Sequence, residues 1–106
     1  MVLEELYRII EDRKENGQDG SYTKYLLDKG TDKILKKVGE ECTEVVIAAK
    51  GDNKEEMVSE VCDLAYHLLV LLVDREINIE AVKEELIKRS NKINNFKGER
   101  KAIENV

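Results

Sequence analysis

Apolar residues recur along this chain at the spacing of three and four that winds them onto one face of a helix. Leu3, Leu6, Tyr7 and Ile10, with Val2, form such a stripe over Met1 to about Asn16. Gly17-Gln18-Asp19-Gly20 interrupts it. Ser21 then offers a cap for a short helix, Tyr22 to Asp28, which Gly30 ends. Thr31 caps a long helix, Asp32 to Lys50, with Ile34, Leu35, Val38, Cys42, Val45, Val46 and Ala49 inward. Gly51-Asp52-Asn53 is a tight connection, and Asn53 with Glu56 reads as a capping box for the next helix. That helix, Lys54 to about Arg75, carries Met57, Val58, Val61, Cys62, Leu64, Ala65 and the run Leu68 to Val73 around nearly its whole circumference. A helix apolar all round is buried, in a core or at a subunit interface. Asn78 caps a last helix from Ile79 to about Asn94, with Ile79, Val82, Leu86, Ile87 and Ile93 inward. The pattern predicts an all-α fold, an up-down bundle of four to five helices. One domain is expected over residues 1–95, followed by a polar C-terminal tail over 96–106.

Composition agrees with this picture and narrows the function. The 106 residues make one domain, with apolar residues at 42% to fill a core, no Pro or Trp, and six Gly. Charged residues reach 39% and the formal net charge is −5. A free-standing nucleic-acid binder would be basic, so that class is set aside. A polyphosphate remains open as a ligand if a divalent cation mediates. The start, MVLEELYRIIEDR, lacks the basic and apolar regions of a signal peptide, and the longest apolar stretch is too short to span a bilayer. A cytoplasmic protein without membrane contact is expected. Cys42 and Cys62 fall within apolar helical patterns and are expected as buried thiols in a reducing compartment. No CxxC or His-rich spacing marks them as metal ligands.

The candidate chemistry lies in carboxylates. Glu41 and Glu44 are three apart on the third helix, as are Glu60 and Asp63 on the fourth, so each pair shares a helix face. The pairs are symmetric about Asp52. Folding the chain back at Gly51-Asp52-Asn53 brings Glu44 level with Glu60 and Glu41 level with Asp63, in one layer roughly two turns from the hairpin. Glu60 and Asp63 share a narrow sector of an otherwise apolar helix with His67 and Ser59. Converging carboxylates repel unless neutralised, and hard oxygen ligands point to Mg²⁺ or Mn²⁺ rather than zinc. Any one of these glutamates alone would read as a solvated charge; two pairs in register on adjacent helices favour a metal site. His67 either bonds the Asp63 carboxylate or is an ordinary buried histidine; the structural role is favoured. Lys36 and Lys37 precede the acidic motif and are candidates for substrate phosphate, against simple Lys36–Glu40 and Lys37–Glu41 pairs on a solvated helix. For Lys33 the solvated reading is favoured. Arg89 and Lys92 would either face phosphates or favour a helix C-terminus. Glu40, or a cluster carboxylate not used by metal, is the candidate proton acceptor. With no Gly-rich phosphate loop, no GxSxG and a single His, metal-activated water is the economical chemistry.

The run SYTKYLLDKGTDKILKKVGEECTEVVIAAK, followed by EMVSEVCDLAYHLLVLL, resembles the phosphoribosyl-ATP pyrophosphohydrolases of histidine biosynthesis. More broadly it is similar to the all-α nucleotide pyrophosphohydrolases with an ExxE…ExxD signature, which falls here on Glu41, Glu44, Glu60 and Asp63. The resemblance covers about Val2 to Asn91. It implies hydrolysis of phosphoribosyl-ATP to phosphoribosyl-AMP and pyrophosphate with magnesium, by a homodimer. Some relatives carry a fused cyclohydrolase domain; that activity is expected elsewhere. The tail NFKGERKAIENV matches no motif, which leaves Lys97 and Arg100 without a role. Two rivals stand beside this reading: a house-cleaning NTP pyrophosphohydrolase, and a non-catalytic helical dimerisation module indifferent to metal. A four-carboxylate iron bundle would want Glu-x-x-His pairs, which are absent. For the dimer, the expected interface is part of Leu68 to Val73 or the facing stripe of the first helix.

Overall fold

The computed structural model describes residues 1–18 and 20–92. Among these described residues five helices follow in order: α1 (Val2–Asn16), α2 (Tyr22–Lys29), α3 (Thr31–Lys50), α4 (Lys54–Asp74) and α5 (Ile79–Ser90). The fold is all-α, as the periodicity predicts. Ile93, the expected end of the last helix near Asn94, and the 96–106 tail lie outside the described residues.

Three of the four predicted caps form. The Ser21 side chain accepts from the Lys24 N–H at 3.3 Å, Asn53 Oδ1 from the Glu56 N–H at 3.0 Å, and Asn78 Oδ1 from the Glu80 N–H at 2.9 Å. Each satisfies a donor that the first helical turn leaves free. Thr31 is the exception. Gly30 both ends α2 and stands before α3, at φ 95°, a backbone angle that suits glycine. The freed Thr31 hydroxyl donates instead to Asp74 Oδ2 at 2.6 Å, tying the start of α3 to the end of α4. At the α3–α4 hairpin, Asp52 takes a left-handed φ of 55°, which Asp tolerates better than most residues.

The core gathers Tyr7 and Ile10 from α1, Leu26 from α2, Ile34 from α3, Leu69, Val70 and Val73 from α4, and Ile79 from α5. Tyr7 keeps its hydroxyl satisfied by donating to the Ile77 carbonyl at 2.8 Å. Lys83 on α5 pairs with the buried Glu4 of α1.

Several residues expected inside lie outside. Cys42 and Cys62 are free and exposed. Leu35, Val46 and Ala49 on α3, Met57, Val58, Val61 and Leu68 on α4, and Leu86 and Ile87 on α5 are also exposed. The reason is coverage. The buried residues of α4 begin only at His67, whereas the half of α4 nearer the hairpin, with the facing half of α3, is left largely uncovered. Leu69, Val70 and Val73 are spent on this chain's own core, so the expected interface run is mostly internal. No helix among the described residues is long and apolar enough to cross a membrane.

Candidate active site

The α3–α4 hairpin brings together three of the four carboxylates expected in one layer. Glu41 of α3 and Glu60 and Asp63 of α4 each offer an oxygen within 4.8 Å of the others. Glu44 lines the same cleft, outside that tight trio. The cleft is open, about 510 Å³, and Lys37, Glu40 and Thr43 complete its walls. Glu41 and Glu60 are half-buried and Asp63 is exposed, so the layer meets solvent rather than lying inside the bundle.

The electrostatics are those of crowded like charges. Burial pushes the Glu60 carboxyl up from its ordinary value, and the negative charges of Asp63, Glu44, Glu41 and Glu56 add to the effect. Lys37 is the cation that answers them. Its Nζ stands 3.4 Å from Glu40 Oε1 and 3.7 Å from Glu41 Oε1. Burial disfavours the Lys37 ammonium, but Tyr22, Glu40 and Glu41 outweigh it and raise its pKa. Glu40 therefore pairs with Lys37 rather than with Lys36, which is exposed and without an ion pair among the described residues.

His67 is the polar anchor behind this layer and is itself buried. Its Nδ1 lies 2.7 Å from the Asp63 carbonyl oxygen. A carbonyl only accepts, so Nδ1 carries the proton and donates. Nε2 then accepts from the Tyr22 hydroxyl at 3.0 Å. The bond to Asp63 goes to its backbone, not its carboxylate, because a helical side chain leans back toward the preceding turn. The Tyr22 phenol is held above its usual pKa by burial; Lys37 opposes this, while Tyr66, Glu41 and Tyr25 add to it.

Tyr22 and Thr43 carry no candidate role in the sequence reading. The one signal for Tyr22 was the lone inward histidine, whose second nitrogen needs a partner. Arg89 is not brought to the cleft among the described residues; its Nε donates to Glu85 Oε2 at 3.0 Å on α5. Lys33 and Lys92 do not line the cleft either.

The donor set of the trio is oxygen alone, drawn from two adjacent helices. That suits a hard dication such as Mg²⁺ or Mn²⁺, and the exposed thiols of Cys42 and Cys62 are not part of it.

Residues 3–90 match the family described as Phosphoribosyl-ATP pyrophosphohydrolase. A protein of Clostridium novyi called phosphoribosyl-ATP pyrophosphatase is 58% identical over 105 residues, covering 99% of this chain and 96% of the relative. One of the same name from Clostridium acetobutylicum is also 58% identical, with the same coverage. Another so named, from Bacillus cytotoxicus, is 55% identical over 99% of this chain and 97% of its own length.

Proposed function

The chain belongs to the phosphoribosyl-ATP pyrophosphohydrolase family, and on that premise we propose that it hydrolyses phosphoribosyl-ATP to phosphoribosyl-AMP and pyrophosphate, in histidine biosynthesis, with Mg²⁺ as cofactor. The observation that carries the metal reading is the trio Glu41, Glu60 and Asp63, three carboxylate oxygens from two helices within 4.8 Å of one another. Glu44, in the same cleft, completes the set of four. Bound there, a dication would offset the charge of the triphosphate, stabilise charge on the leaving pyrophosphate and acidify the attacking water.

The chain's own residues do the rest. Lys37 turns from Glu40 and Glu41 to the phosphate oxygens that remain uncompensated. Lys36, exposed one residue before it, does not line the cleft and takes no part in this reading. Tyr22 and His67 hold the backbone at Asp63 and so fix the α4 side of the layer. Water adds across the α–β phosphoanhydride: one oxygen–phosphorus bond forms, the bridging bond breaks, and pyrophosphate leaves. The proton that water loses goes to Glu40, or to a cluster carboxylate that the metal does not fully use.

The active form on this reading is a homodimer. Val46, Met57, Val58 and Val61 form an exposed apolar surface on the uncovered end of the α3–α4 hairpin. A second copy of the chain would bury it.

Pyrophosphate release from phosphoribosyl-ATP, measured beside a panel of nucleoside triphosphates with and without chelator, tests the function. The expected result is turnover of phosphoribosyl-ATP above every triphosphate, abolished by chelation and restored by magnesium. A preference for a simple triphosphate would replace this reading with a house-cleaning one. Turnover in full chelation would remove the metal from it.

A further inference from the structure

Beside the carboxylate cleft, α2 presents two tyrosine rings to solvent. Tyr22 is 46% exposed and Tyr25 43%. Three residues apart, they stand on one side of the helix. Their centroids lie 6.3 Å apart with the planes inclined by 23°. Both border an open cavity of about 450 Å³ whose rim carries the Gln18 amide, the Ser21 hydroxyl and Lys24. Carboxylate chemistry gives no reason for a pair of exposed rings at this place.

The rings are held rather than loose. The Tyr22 hydroxyl donates to buried His67. Its ring lies 6.2 Å from that of Tyr66 at 27°, and meets the His67 imidazole edge-on at 5.8 Å. Lys29 Nζ sits 5.8 Å from the Tyr25 centroid. A fixed aromatic surface loses little freedom when a flat ligand settles on it.

Tyr22 also stands near the carboxylate cleft without lining it. His67, its partner, bonds the Asp63 carbonyl, and Lys37 and Glu41 both act on the Tyr22 phenol. One side chain thus borders the cavity and is tied through His67 to the α4 side of the cleft.

We infer that Tyr22 and Tyr25 form the subsite on which the purine base of the substrate stacks while its phosphates lie in the carboxylate cleft. This rests on the nucleotide hydrolysis proposed above. Every purine offers a π face to such a platform. The Gln18 amide and the Ser21 hydroxyl supply the few polar groups that orient a ligand in a small-molecule pocket.

Two arms test it. In the first, AMP and ribose 5-phosphate are titrated separately into the full chain without metal, and the tyrosine ring signals are followed by NMR. AMP should move the Tyr22 and Tyr25 rings, and ribose 5-phosphate, which lacks a base, should not. In the second, Tyr25→Ala should raise KM for phosphoribosyl-ATP about tenfold, the order of losing one base–aromatic stack, with kcat unchanged. Tyr25→Phe, which keeps the ring, should retain the parent KM. Rings that ignore AMP, or a Tyr25→Ala enzyme with the parent KM, would overturn the subsite. A parent that does not hydrolyse phosphoribosyl-ATP would overturn the proposed reaction instead, and the AMP arm would still decide the subsite.

Discussion

Replacing Glu60 by Gln probes the carboxylate layer at its most loaded point. Glu60 belongs to the tight trio, and its carboxyl is lifted by burial and by Asp63, Glu44, Glu41 and Glu56. The cleft sets five carboxylates (Glu40, Glu41, Glu44, Glu60 and Asp63) against one lysine, a formal surplus of four negative charges. The amide keeps the side-chain shape and lowers that surplus to three. On function the loss should be large: at least about a hundredfold in turnover, the order seen when one preorganised electrostatic contact is removed. On stability the sign is opposite. A carboxyl whose pKa is raised by folding helps the folded state when protonated, at low pH. That help is lost as pH rises through its folded value, above the ordinary 4.5. At neutral pH the metal-free variant should therefore unfold at the same temperature as the parent or higher. On acidification the parent should gain on the variant. The assay pairs pyrophosphate release at saturating magnesium with thermal unfolding in chelator across the acidic and neutral range. Parent-level turnover would show that the carboxylates are not the reacting centre. A variant that melts lower at neutral pH would show that Glu60 supports the fold, and the repulsion argument would fail.

Three other outcomes are expected. Lys37→Ala should raise KM for the nucleotide by about tenfold or more, as for a lost hydrogen bond to a charged group, with thermal unfolding little changed; an unaltered KM would return Lys37 to the role of a surface ion pair. Leu26→Ala empties a fully buried position and should cost about 2–5 kcal/mol, read as a lower denaturant midpoint at unchanged slope; a loss within error would contradict the core described above. Val58→Asp, on the exposed apolar surface of α4, should shift sedimentation from dimer to monomer at micromolar concentration; a parent already monomeric would refute the proposed assembly.

The parts legible in the sequence are those governed by local rules. Ser21, Asn53 and Asn78 cap helices because a short polar side chain beside a free N–H is a local event. The carboxylate layer was legible because the hairpin at Asp52 turns residue spacing into height. Height is not direction, however. Glu44 is three residues on from Glu41, about 60° round the helix, and it stands exposed at the cleft edge while Glu41 turns in. Periodicity says which residues share a face and nothing about what covers that face, so Cys42, Val46, Leu86 and Ile87 read as core and lie outside. The bonds from Thr31 to Asp74 and from Tyr22 to His67 join residues more than forty positions apart, which spacing along one helix cannot suggest.

The joint at Gly30 sets a gauge. One residue closes α2 and opens α3, so the platform of Tyr22 and Tyr25 is coupled to Lys37 and Glu41 with almost no slack between them. A Cβ at Gly30 would meet no atom within 4 Å, so the constraint there is the backbone angle alone. Inserting a single residue there would change how α2 is set against α3 and move the aromatic rings relative to Lys37 and Glu41. On the proposed reading, the length of this joint sets the distance from base to phosphate.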